Sequence, residues 1–104
     1  MTMMLKKHYF KEVIPLRVHI IAKGRVQGVG FRFSAWQKAM EYDLTGYVRN
    51  LPNGDVELEV EGSESNIEAF IKDLEAGLNP FMRVDRLEVE KLDTEKGYRD
   101  FRMG

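Results

Sequence analysis

The sequence predicts an α+β domain whose elements follow one another as β-α-β-β-α-β, with a short extra strand near the C-terminal end. Three observations carry that expectation. Two segments alternate apolar and polar residues with the period of a strand, two others repeat apolar residues with the period of a helix, and turn residues separate them. The 104 residues, 43% hydrophobic and 32% charged, have the size and balance of one soluble globular domain.

Residues 1–14 show no period and read as an N-terminal extension, expected to be mobile, ahead of a domain spanning 15–104. Leu16, Val18, Ile20 and Ala22 alternate with Arg17, His19, Ile21 and Lys23, a strand with one strongly apolar face. A glycine-rich loop follows. Over 31–42, Ala35, Trp36, Ala39 and Met40 fall on one helical stripe. A second strand at 46–50 is turned by Leu51-Pro52-Asn53-Gly54, Asn-Gly suiting positions of positive φ. In the third strand, 55–61, Val56, Leu58 and Val60 alternate with Glu57, Glu59 and Glu61, an acidic face expected to be solvated.

Ser65-Asn66-Ile67-Glu68 has the spacing of a capping box. It opens a helix with Ile67, Phe70, Ile71 and Leu74 on one face and Gly77 as its stop. After Asn79-Pro80, Val84, Leu87 and Val89 alternate imperfectly along a fourth strand, Arg83–Leu92, and 98–103 supplies a short fifth. The economical packing is an antiparallel sheet with both helices on one face, the ferredoxin-like split βαβ sandwich. That architecture hosts many functions and decides none of them.

The chemistry concentrates in Gly24-Arg25-Val26-Gln27-Gly28-Val29-Gly30-Phe31-Arg32. Glycines let successive N–H groups turn inward around an anion, and the helix that follows adds partial positive charge. Arg32 adds a planar fork of donors. An arginine at a helix N-terminus is mildly unfavourable by itself, so its placement asks for an anion. The loop lacks the third glycine of a dinucleotide fingerprint, where Phe33 stands, and the Gly-Lys-Ser/Thr of a P-loop. The right-handed crossover makes the first two strands parallel, so Asn50, ending the second, faces the same pocket as Arg32. Arg32 and the N–H groups from Gln27 through Gly28, Val29, Gly30 and Phe31 to Arg32 can hold a phosphoryl group, and Asn50 can hold a water. No Asp, Glu, Cys or His adjoins Arg32 or Asn50 as a candidate nucleophile. A good leaving group is therefore expected, and an acyl phosphate fits because its carboxylate departs without a proton.

At these residues the chain resembles the acylphosphatase family. Both family motifs are present: the glycine loop through Arg32, and Gly46-Tyr47-Val48-Arg49-Asn50-Leu51-Pro52-Asn53-Gly54-Asp55-Val56-Glu57 followed by Glu61-Gly62. The resemblance runs from about Arg17 to Phe101. It implies hydrolysis of carboxyl–phosphate anhydrides without metal or cofactor, with Arg32 binding phosphate, Asn50 orienting the water and the substrate helping to activate it. Inorganic phosphate is then product and inhibitor. Asp43 stands where the family's first helix usually ends in glycine, and Phe81-Met82 replaces a small pair before Arg83-Val84-Asp85. The alternative is a non-catalytic anion- or nucleotide-sensing module on the same fold.

Composition narrows the partners. There is no cysteine, which excludes disulfides and thiolate chemistry, and His8 and His19 lack neighbours at metal-ligand spacing, so no metal is expected. Residues 1–49 hold nine Lys/Arg against three Asp/Glu, and 50–104 hold seven against fourteen. The pI of about 6.1 and the acidic third strand argue against nucleic acid. No apolar run approaches the length of a membrane span, and no signal-peptide core opens the chain. The expectation is a cytoplasmic monomer. Phe31, Phe33 and Trp36 read as core packing rather than a base-stacking platform, and Tyr47 as core or pocket wall.

Overall fold

Seven elements follow in chain order: β1 (Leu16–Arg25), α1 (Phe31–Glu41), β2 (Thr45–Asn50), β3 (Val56–Gly62), α2 (Glu64–Ala76), β4 (Arg83–Leu92) and β5 (Phe101–Met103). They come from a computed structural model that describes residues 15–93 and 96–104. The expected N-terminal extension lies outside the described residues. The sheet order is β4-β1-β3-β2-β5. β3 is antiparallel to both β1 and β2, which therefore run the same way, as the α1 crossover requires. β4 closes the other side of β1 antiparallel, and β5 joins β2 in parallel, so the fifth strand makes the sheet mixed. No helix among the described residues is long and apolar enough to cross a membrane.

Alternation in the strands puts one face of the sheet under the helices. Val18, Ile20 and Ala22 of β1, Val48 of β2 and Val56, Leu58 and Val60 of β3 are buried there. They meet Phe31, Ala35 and Ala39 of α1 and Ile67, Phe70 and Leu74 of α2. Burying each large side chain contributes about 1.5–3 kcal/mol, and a one-residue slip of β1 would turn its whole set outward. That penalty fixes the register that aligns the ends of β1 and β2.

Several boundaries differ from the sequence reading. The second helix is capped by Ser63, whose hydroxyl accepts the Asn66 N–H at 3.3 Å, so it starts ahead of Ser65. Val84 and Leu87 both pack against the core although three positions apart. The ladder shows why: Lys23 pairs with Arg86 and Gly24 with Val84, leaving Asp85 as the extra residue of a bulge. In the β2–β3 connection the Gly54 N–H bonds the Leu51 carbonyl, and of Asn53 and Gly54 only Gly54 has positive φ. Met40 turns out of the helical stripe and is exposed. Asp43 does adopt the left-handed backbone, at φ 53°.

The opposite, helix-free face overturns the expectation of a solvated acidic run. Glu59 and Glu61 are buried. Ion pairs cross from β1: the diagonal pairs Arg17 to Glu59 at 2.8 Å and His19 to Glu57 at 2.8 Å, and Lys23 to Asp55 at 2.7 Å just past the ladder's end. Arg49 also donates to Glu57, and the Tyr98 hydroxyl donates to Glu59 at 2.6 Å. Burial works against the charged forms of Glu57 and Glu59, yet these hydrogen bonds outweigh it and hold both carboxyls below the usual 4.5. Glu61 accepts the N–H groups of Lys96, Gly97 and Tyr98, the Asp100 carbonyl accepts the Gly46 N–H at 2.8 Å, and the fifth strand starts at Phe101. Tyr47 packs edge-on against Tyr98 on this face, at 6.3 Å between ring centroids, so it is not a wall of the pocket beside Arg32. Burial, then Glu57 and Glu59, push its hydroxyl up to about 12.

Candidate active site

The loop between β1 and α1 is shaped by two left-handed residues, Gly28 at φ 75° and Gly30 at φ 79°. A Cβ at Gly28 would meet nothing within 4 Å, so backbone conformation rather than space requires glycine there. Gly30 is the N-cap of α1 without a capping side chain, and no acid occupies the first turn. The first intrahelical bond runs from the Ser34 N–H to the Gly30 carbonyl at 3.0 Å. The N–H groups of Phe31, Arg32 and Phe33 therefore precede the helix's own hydrogen bonding, and the end is open to an anion.

Two side chains brace this loop. The Gln27 amide donates to the carbonyls of Leu51 at 2.7 Å and Asp55 at 2.8 Å, tying the loop to the turn that follows Asn50. The Asn79 amide donates to the Val29 carbonyl at 2.9 Å, while its oxygen accepts the Phe81 N–H. A planar trans peptide points its C=O and N–H in opposite directions, so pinning the Val29 carbonyl to Asn79 aims the Gly30 N–H the other way. The sequence reading missed both roles. It treated Gln27 as a main-chain donor only, and an Asn before a proline signals a turn, not a reach across fifty positions.

Gly28, Gly30, Phe31, Arg32 and Asn50 line one cavity of about 340 Å³, together with Val26, Phe33 and Met103. Val29 and Gln27 stand behind it through the hydrogen bonds just described. Arg32 carries five N–H donors, of which one bonds the main-chain oxygen of Gly104. Gly104 is held in turn by its N–H on the Val48 carbonyl, at 2.8 Å. The Asn50 amide has no hydrogen-bond partner among the described residues. Arg32 and Asn50 are the polar side chains of the lining, donors with one amide acceptor. Phe33 is not core: it is 53% exposed at the cavity mouth. Among the described residues no three His, Asp or Glu side chains converge as metal ligands. The arrangement can bind a tetrahedral anion and hold a water beside it.

Comparison with known proteins bears on the family and the fold. Residues 18–103 match the family model described as Acylphosphatase. An acylphosphatase of Geobacillus kaustophilus is 44% identical over 87 residues, 84% of this chain and 92% of that one. The crystal structure of acylphosphatase from Bacillus subtilis superposes with a TM-score of 0.82 at 35% identity, covering 86% of this chain and 98% of the other. HypF from T. kodakarensis contains a similar unit: TM-score 0.76 and 40% identity over 86% of this chain, but only 12% of that protein.

Proposed function

The chain belongs to the acylphosphatase family, and from that premise we propose that it hydrolyses small acyl phosphates, Arg32 and the loop N–H groups holding the phosphoryl group and Asn50 the water. The observation that carries this reading is the convergence of Arg32, Asn50 and the two left-handed glycines on one cavity. The phosphoryl oxygens take the N–H groups from Gln27 to Arg32 and the guanidinium fork. Each hydrogen bond to a charged group contributes about 1.5–3 kcal/mol. The Asn50 side-chain carbonyl accepts a hydrogen bond from the water and leaves a lone pair of its oxygen directed at phosphorus.

The step balances without a protein acid or base. The water oxygen bonds to phosphorus as the phosphorus–oxygen bond of the anhydride breaks, and that electron pair leaves on the carboxylate. One water proton passes to a phosphoryl oxygen of the substrate. An acyl phosphate dianion and water thus give a carboxylate and H2PO4⁻. Arg32 and the aligned N–H groups are fixed before reaction, so they stabilise the shifting charge without reorganising. Every group in this scheme comes from the chain, the substrate or solvent water, so the reading assigns no cofactor and completes the site within one monomer. Released inorganic phosphate competes for the same seat. The test is phosphate release from acetyl phosphate with EDTA present and Arg32→Ala as control. Turnover that survives EDTA and disappears in the variant is expected. A folded protein that binds phosphate without turnover would be a sensing module instead.

A further inference from the structure

We infer that the mouth of this cavity selects an apolar acyl group, aromatic or branched, with Phe33 and Met103 as the residues that recognise it; the inference rests on the acyl phosphate reading above. The cavity has two kinds of wall. Gly28, Gly30, Arg32 and Asn50 form the polar one, and the other is Val26, Phe31, Phe33 and Met103. Val26 and Phe31 are buried at 1% exposure and form a floor. Phe33 and Met103 remain 53% and 48% exposed, large apolar side chains facing water at the rim of a polar seat. Such a patch beside a few convergent polar groups has the make-up of a ligand site.

The rim is also held in place. The Phe33 ring stacks on Trp36, with centroids 5.9 Å apart and planes inclined by 28°. The Trp36 indole N–H donates to the Phe101 carbonyl at 3.2 Å. Phe101 opens the strand that carries Met103, so helix α1 and strand β5 present the two rim residues as one braced unit. An acyl group attached to a phosphoryl group in this cavity can extend along this rim. A planar aryl group can lie offset against Phe33 and displace water from Met103, whose flexible thioether adapts to its shape. Arg32 is the cation of the lining and is occupied by the phosphoryl group. An acyl group bearing a second phosphate or a carboxylate would find no partner there.

The experiment compares benzoyl phosphate with acetyl phosphate in the native protein, Phe33→Gln and Met103→Gln. The native protein is expected to show the lower KM for benzoyl phosphate. Each variant should raise that KM by up to about tenfold while leaving acetyl phosphate kinetics in place, which also shows that the variant is folded. Equal KM values for the two substrates in the native protein, or variants that change both alike or neither, would overturn the inference. Binding of benzylphosphonate against methylphosphonate, measured by calorimetry, gives a readout free of turnover. If neither acyl phosphate is hydrolysed but benzylphosphonate binds more tightly in a Phe33-dependent way, the hydrolase reading fails and the rim assignment stands.

Discussion

On the helix-free face of the sheet, Arg17, His19, Lys23 and Arg49 each meet a carboxylate of β3 or of the turn before it. Glu61 closes on three main-chain N–H groups. At the β1–α1 loop the pattern reverses. The start of α1 has no capping side chain and no acid, Arg32 uses one donor on Gly104, and the Asn50 amide has no partner among the described residues. Both regions are built from charged and amide groups, and they differ in whether the fold satisfies them. A group paired inside the protein contributes to holding it together. A donor set left open lowers stability slightly and waits for a ligand. The comparison teaches where to expect loss of fold and where to expect loss of activity.

The largest effect breaks the open side. Arg32→Ala should lower kcat/KM by on the order of 10³-fold or more, with a melting temperature unchanged or raised. A parallel drop in melting temperature would make Arg32 part of the scaffold. Next, Asn50→Ala should lower kcat by on the order of 10²-fold while inhibition by inorganic phosphate stays intact, because its task is the water. Equal loss of both would show that Asn50 shapes the loop.

The paired side answers in stability. Glu59→Gln keeps the shape but removes the charge between Arg17 and Tyr98, and should cost about 1–2 kcal/mol, read as a lower melting temperature with kcat/KM nearly unchanged. Acid probes the same network. The folded-state pKa values of Glu57 and Glu59 lie below 4.5, so the unfolded chain binds their protons more readily. Their contribution is full above that value and is lost as pH falls below it through the lowered folded values. The melting temperature should therefore fall on acidification below 4.5, and less steeply in Glu59→Gln. Asp43→Gly sharpens the picture least: relieving one left-handed non-glycine residue should stabilise by about 0.5–1 kcal/mol, a rise of a few degrees without change in activity.

The open side was the more legible in sequence. Glycines at positive φ, an arginine at a helix start and an asparagine at a strand end state local requirements of backbone and charge, and crossover handedness brings them together. The paired side was misread because its cover comes from elsewhere. The alternation of Glu57, Glu59 and Glu61 gives the face, but the partners sit on β1 and in 96–98, and no local pattern announces them. Phe33 was misread for a related reason. It stands three positions before Trp36 and stacks on that ring, but no local pattern shows that its own ring is left facing solvent. Asn79 reaches Val29 across the fold, a contact that spacing does not encode.

The central claim is that the unpaired donors of the β1–α1 loop are a phosphoryl seat organised by Arg32. Titrating inorganic phosphate into the native protein and into Arg32→Ala, at one fixed ionic strength and followed by calorimetry, tests it most directly. Saturable binding to the native protein that is lost in the variant is the predicted result. Equal affinity in the two proteins would contradict the claim and place the phosphate elsewhere.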